Sequence, residues 1–315
     1  MKKNITFLLF FLLSVSLAFG QQEAQFSQNM FNKLAMNPAY AGSKKAICAT
    51  GLIRQQWAGF KDPEGNSVAP RTFLISLDSP VRFLHGGLGA TIYNDEIGFE
   101  KNTGAKLSYA YRINIGKGNL AFGAQVGFLD KSVDFSKFKL LDDGDPVFMS
   151  KGEESVFLTD YAGGIYYQIP DKFYAGISAS LLTQAGGTIG SAETMNRTHY
   201  YLMSGYNISV SGSSGLVINP SVLVKTDWYS AQYDINTLMI FNDKYWGGIS
   251  YRVEDAIAVI FGMQYRDFRI GYSYDITTSD MGTAGSSGSH ELMLGYCFKI
   301  EVEKVRGTYK NARYL

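Results

Sequence analysis

"KLSYAYRINI", residues 106–115, is the stretch that decides the fold. Leu107, Tyr109, Tyr111, Ile113 and Ile115 share one face at period two, and Lys106, Ser108, Ala110, Arg112 and Asn114 share the other. A strand with one aromatic-apolar face and one polar or small face lies between two different media. "LAFGAQVGF" (120–128) sets Leu, Phe, Ala, Val and Phe against Ala, Gly, Gln and Gly. "FRIGYSYD" (268–275) and "ELMLGYCFKIE" (291–301) follow the same alternation.

In a soluble sandwich the apolar face points inward. In a membrane barrel it points to lipid, and the polar face lines the lumen. Strand length separates the two. These segments run about 10–14 residues, longer than the soluble norm and suited to a tilted crossing. Roughly fourteen are expected, near 46–58, 70–79, 84–94, 102–115, 119–131, 158–169, 172–184, 196–211, 214–227, 231–241, 244–253, 257–266, 268–279 and 288–301. Alternate connections are short ("SPVRF", "GKG", "IPDK", "SGSS", "NDK", "RDF"). The other set is mostly longer, at 59–68, 131–158, 185–194 and "SDMGTAGSSGS", with short links near Tyr229 and Glu254. Short periplasmic turns opposite longer external loops, with an even strand count, predict an all-β transmembrane antiparallel barrel in a Gram-negative outer membrane, both termini periplasmic.

The flanks agree with export. "MKKNITFLLFFLLSVSLAFG" has two lysines, an apolar run and a small-residue ending, the pattern of a secretory signal peptide over residues 1–20. An uncleaved anchor is the alternative reading. Cleavage after Gly20 leaves about 295 residues. The expected division is then an N-terminal periplasmic or plug segment (21–45), the barrel (46–301) and a periplasmic C-terminal tail (302–315). A net charge of +1 gives no electrostatic case for nucleic acid.

Expected lumen-facing positions include Lys106, Arg112, Gln125, Lys225, Arg252, Gln264, Arg269, Asp275, Glu291 and Lys299. They suit structural filling, a narrow wet channel or a seat for a plug. A barrel this wide is not readily filled by its own side chains, so the N-terminal segment is a candidate occluder. Chemistry is sparse. His85, His199 and His290 lie on separate segments with no ligand spacing, and no G-x-S-x-G, H-E-x-x-H or P-loop is present. A hydrolase-like set built on His290, Glu291 and a serine is a remote option, and no cofactor or metal is expected. Cys48 opens the first strand and Cys297 ends the last, strands that are neighbours in a closed barrel. A cross-strand disulfide and two unpaired thiols both fit.

One stretch fits neither strand nor helix: "QFSQNMFNKLAMNPAYAGSKK", 25–45. Together with "RQQWAGFKDPEGNSVAPRTFLISLDSPV", "GGLGATIYNDEIGF", "LSYAYRINIGKGNLAFG" and the ending "GTYKNARYL", it resembles the PorP/SprF family, outer-membrane proteins of the type IX secretion system in the Bacteroidetes. The likeness spans most of the chain and is strongest over 25–128. The insert "DPEGNSVAP" is longer than in many relatives.

The resemblance implies a role without catalysis, in type IX secretion or gliding motility. The implied partners are a secreted or cell-surface protein with a type B C-terminal domain, periplasmic secretion-machinery components and outer-membrane lipid. Two contact surfaces are candidates. One is the long loop 134–157 with Asp142, Asp143, Asp145, Glu153 and Glu154, flanked by 61–68 and 279–289. The other is the tail with Lys304, Arg306, Tyr309, Lys310, Arg313 and Tyr314. Pro38 in NPAYAG fixes its backbone, so this segment is expected to form a turn at the barrel mouth, a plug or brace leading into strand one. A passive channel for small solutes is the competing function.

Overall fold

The computed structural model describes residues 23–44, 46–138, 152–212, 215–282 and 285–299. The alternating segments become β1 (Ala46–Gln55), β2 (Arg71–Val81), β3 (Gly86–Ile97), β4 (Glu100–Ile115), β5 (Gly118–Asp134), β6 (Glu153–Ile169), β7 (Phe173–Ser180), β10 (His199–Tyr206), β12 (Leu216–Thr226), β13 (Ala231–Phe241), β14 (Tyr245–Arg252), β15 (Ala256–Tyr265), β16 (Phe268–Thr277) and β17 (Ser289–Lys299). Between them, β8 (Gly186–Ile189) and β9 (Ala192–Met195) form a hairpin in the β7–β10 connection. The short β11 (Ile208–Ser209) prolongs β10 against β12. Each of the fourteen long strands pairs antiparallel with its neighbours. The sheet closes where β1 meets β17, from Ala46↔Lys299 to Gln55↔His290.

The pleat decides what faces where. Phe261 keeps 55 % of its surface exposed while its neighbour Ile260 keeps 1 %, and Leu107 keeps 55 % beside Ser108 at 5 %. Large apolar side chains are exposed on every wall of the barrel, among them Phe122, Ile177, Leu202, Ile235, Ile249 and Leu294. Soluble monomers rarely expose so continuous an apolar surface, and a lipid-facing belt is what an outer-membrane barrel needs.

The strands differ from expectation where they leave that belt. β5 and β6 were expected to stop at 131 and to start at 158. They run on to Asp134 and from Glu153, so β4, β5 and β6 are 16, 17 and 17 residues long. About 9–11 residues cross a membrane, so this wall projects roughly 20 Å beyond it at 3.3 Å per residue. The expected loop between β3 and β4 is a turn of Gly98 and Phe99. Its flanks pair as Glu96↔Lys101 and Asp95↔Asn102, where cross-strand polar contacts replace the lipid-facing pattern. At the opposite rim the turns are tight. Asn242 and Asp243 both hold positive φ (53° and 55°), which these residues tolerate better than most.

Candidate functional site: the filled lumen

The lumen is occupied by the chain's own N-terminal segment. From Lys44 it runs back through the barrel as three short 3-10 turns, Pro38–Tyr40, Lys33–Ala35 and Asn29–Phe31, to Glu23. Both apolar clusters inside the barrel are built jointly by this segment and the wall. Leu34, Ala39, Tyr40 and Ala41 pack with Ala110, Ala121, Tyr166, Tyr201, Met203 and Leu223. Phe26 and Met30 pack with Leu52, Leu74, Leu238, Trp246, Ile260 and Met293.

The first anchor lies near the rim where the chain enters β1, and it explains NPAYAG. Asn37 caps the Pro38–Tyr40 turn, its Oδ1 accepting from the Ala39 N–H at 2.9 Å. Its Nδ2 donates to the carbonyls of Ile165 (3.1 Å) and Ile177 (3.2 Å), residues that face each other across β6 and β7. The amide lies over Gly164 and Gly176, where an added Cβ would come within 2.3 Å and 2.9 Å of it. Gly123 admits the turn itself, since a Cβ there would lie 2.1 Å from Ala39 N. Arg112 closes the anchor, donating to the carbonyls of Gly42 (2.6 Å) and Ala41 (2.8 Å). Lys33 sits over the Tyr174 ring at 4.1 Å, a cation–π contact.

The second anchor lies toward the rim of the longer loops and is ionic. Arg54 on β1, 1 % exposed, pairs with Asp275 (2.8 Å) and Glu291 (3.3 Å). Arg252 pairs with Asp234 (3.2 Å) and Asp255 (3.2 Å). Two guanidinium groups thus face four carboxylates, and the segment supplies the missing donors. The Ser27 and Gln28 N–H groups donate to the Glu291 carboxylate at 2.8 and 2.9 Å. The Ser27 hydroxyl donates to Asp275 at 2.6 Å, and Asn29 Nδ2 donates to Asp234 at 3.2 Å. Buried carboxylates need such charge-assisted bonds.

Glu23 ends the described segment. It pairs with Lys106 at 3.2 Å and accepts from Ser180 and from the Tyr201 hydroxyl, while its carbonyl accepts from Lys225 at 2.7 Å. Burial pushes its carboxyl up, but Lys106, His199, Lys225 and the Tyr201 hydroxyl together outweigh that and hold it well below the usual carboxylate range. Above the segment, toward the longer loops, a cavity of about 370 Å³ remains. Its lining includes Glu23, Phe26, Leu74, Tyr93, Asp95, Asn102, Leu129, Met195 and Asn196.

The sequence-expected residues divide. Lys106, Arg112, Lys225, Arg252, Asp275 and Glu291 all face the lumen and all hold either the segment or each other, while Gln264 and Arg269 bond together at 2.9 Å. Cys48 and Cys297 are opposed in register, and a disulfide joins them. Cys297 N–H donates to Asp267 on the β16 side, so the two form a non-hydrogen-bonded pair, the closer of the two antiparallel spacings, with Cα atoms 4.1 Å apart. Glu153 and Glu154, expected in the acidic loop, lie in β6 instead. Glu153 accepts from Ser132 and Glu154 from the Gly190 N–H of the β8–β9 hairpin, because the projecting wall continues through them. Asp142, Asp143, Asp145, Arg306, Tyr309, Arg313 and Tyr314 fall outside the described residues, as do the leader and the tail. His290 and Glu291 cannot act together, since adjacent strand residues face opposite sides. His290 meets the Tyr272 hydroxyl at 2.6 Å while Glu291 is committed to the segment. Sequence reasoning missed Glu23, Ser27, Asn29, Arg54 and Asp234, because the expected inward positions carried more cations than carboxylates and gave no sign of the carboxylate cluster.

The profile of the family described as "Type IX secretion system membrane protein PorP/SprF" matches residues 18–296. The chain belongs to the PorP/SprF family. No curated protein matches its sequence. Among solved structures it is similar to the toluene transporter TbuX of Ralstonia pickettii, at 9 % identity and TM-score 0.53, covering 85 % of this chain and 93 % of that one. It is also similar to the monoaromatic hydrocarbon channel CymD, at 11 % identity and TM-score 0.51, covering 90 % and 95 %. At these identities the likeness is one of fold, that of an outer-membrane barrel. The PorP/SprF chain is thus a type IX secretion membrane protein whose fourteen-stranded barrel sits in the outer membrane.

Proposed function

We propose that this PorP/SprF barrel is a non-catalytic scaffold of the type IX secretion and gliding machinery. In this reading it binds an exported protein carrying a type B C-terminal domain and helps export it or hold it at the cell surface. Both termini lie in the periplasm, and the longer loops face outward. The acidic loop with Asp142, Asp143 and Asp145 meets the exported partner, and the tail with Arg306, Tyr309, Arg313 and Tyr314 meets periplasmic machinery. The observation that carries the reading is the N-terminal segment anchored at two levels of the lumen. It fills much of a lumen otherwise wide enough to conduct and leaves the loop-side cavity and the rims as free surfaces.

The test is purification of the tagged barrel from native outer membranes with mass spectrometry, alongside current recording in planar bilayers. A stoichiometric exported protein with a type B C-terminal domain and a silent bilayer support the scaffold. A solitary barrel passing steady current refutes it in favour of a small-solute channel, the role named for the TbuX and CymD folds.

A further inference from the structure

We propose that the loop-side cavity binds an extended peptide segment carrying a lysine or arginine side chain, contributed by the exported partner. The inference rests on the scaffold reading and names the chemistry by which the partner is recognised.

Three features of the cavity carry it. The first is charge. Lys106 is matched by Glu23 at 3.2 Å and Lys131 by Glu100 at 3.1 Å, so both cations on the wall are already paired. Asp95 is 6 % exposed and accepts from the Thr72 hydroxyl at 2.5 Å. Among the described residues no cation lies within ion-pairing distance of it, and Lys225, already bonded to the Glu23 carbonyl, acts on it only from farther off. The second is a pair of amides. Asn102 Nδ2 donates to Glu100 at 2.8 Å, which turns its Oδ1 away from that carboxylate. This Oδ1 is buried without a hydrogen-bond partner, and so is Nδ2 of Asn196, a residue 8 % exposed. One free acceptor and one free donor on the same cavity complement the N–H and C=O of a peptide group, and buried polar atoms are rarely left unpaired. The third is shape. Leu74, Leu129 and Met195 give apolar wall between these polar points, and about 370 Å³ sits at the lower end of ligand pockets. That admits a few extended residues and excludes a folded element.

The test uses the full chain in lipid nanodiscs and two capped tripeptides, acetyl-Leu-Lys-Leu-amide and acetyl-Leu-Glu-Leu-amide, with binding read by saturation-transfer NMR. The lysine peptide is expected to bind at least tenfold more tightly than the glutamate peptide. D95N should weaken it about tenfold and erase the preference, the effect of losing one charge-assisted bond. N196L should weaken both peptides. L129W, which fills the cavity, should abolish both while heat-dependent gel mobility reports an intact barrel. Equal affinity for the two peptides, indifference to D95N, or no binding to the wild type overturns the proposal and leaves a hydrated cavity only. Co-purification of the exported partner separates the two readings. A partner retained equally by wild type and L129W sinks the cavity and spares the scaffold. Peptide binding without any exported partner does the reverse.

Discussion

Arg54→Ala tests whether the ionic anchor holds the plug. In the folded chain Arg54 is 1 % exposed and neutralises Asp275 and Glu291, while its Nη1 also donates to the Ser27 hydroxyl at 2.8 Å. With alanine there and the plug seated, both carboxylates stay buried, and only Arg252, 3.7 Å from Asp275, remains to compensate them. With the plug withdrawn they are hydrated. The substitution therefore penalises the seated state selectively, by about 3–5 kcal/mol, the cost of breaking a buried pair on one side. That multiplies local opening by about 10² to 10³·⁵. Hydrogen–deuterium exchange with mass spectrometry reads it directly, because the Ser27 and Gln28 N–H groups donate to Glu291 and exchange only when the anchor opens. A peptide covering 23–32 should exchange at least a hundredfold faster in the variant. The peptide covering 37–43, held by Asn37 and Arg112, should not change. Less than a threefold change over 23–32 would refute the anchor, and equal acceleration in both peptides would show that the plug moves as one body.

Three further outcomes are expected. Gly123→Ala places a Cβ 2.1 Å from Ala39 N and should cost about 3 kcal/mol of barrel stability, read as a lowered Tm, because backbone meets backbone and neither yields. Gly127→Ala on the same strand, whose nearest contact would be 3.7 Å, should stay within about 0.5 kcal/mol. Glu23→Gln should lower the Tm at neutral pH, by about 2 kcal/mol of stability for a partly screened pair. The folded Glu23 carboxyl is depressed, so its contribution is complete above the unfolded value of about 4.3 and is lost as pH falls toward the folded one. The Tm gap between E23Q and wild type should therefore begin to narrow near about pH 4 and shrink progressively at lower pH, and a gap independent of pH excludes the ion pair as its cause. Reducing Cys48–Cys297, which closes a separation of 249 residues, should lower the Tm by an equivalent of up to about 5 kcal/mol while leaving heat-dependent gel mobility intact.

What was legible in the sequence was whatever the bilayer imposes. Period-two alternation in 106–115 or 268–275 exists because one face meets lipid, and it yields strand number, the lipid-facing side of each strand and closure. Where the wall leaves the lipid the constraint vanishes. Asp95–Lys101 and the stretch 131–158 read as loops from the sequence, yet Asn94 bonds Thr103 across the strands at 2.9 Å and the β5–β6 ladder runs to Asp134↔Glu153, where Ser132, Asp134, Glu153 and Ser155 carry no lipid-facing pattern. The β8–β9 hairpin escaped notice although Gly190, at φ 64°, supplies its turn. Asn37–Pro38 announced a turn but not its partners, because Gly164 and Gly176 lie more than a hundred residues away and are recognisable only by what they lack. The cysteines were placed on neighbouring strands. A slip of one residue would have separated them, and register at that resolution is not written in an alternating pattern.

The plug's anchors also constrain the order in which the molecule is built. The ionic anchor needs Arg54 from β1, Asp275 from β16 and Glu291 from β17, so it exists only after the last strand has paired with the first. The segment that occupies it precedes β1 and is made first. Its contacts with Glu291 span 264 residues, among the longest closures in the chain, and such contacts yield nothing until the intervening loop entropy has been spent. Before closure the inward carboxylates of β13, β16 and β17 face water. Afterwards they share two arginines and lack donors, a state that only the Ser27–Asn29 backbone and side chains relieve. Completion of the ionic anchor therefore waits on closure of the barrel, whereas the Asn37 anchor needs only β4 to β7, and the strand pair that closes the barrel is the one that Cys48 and Cys297 link.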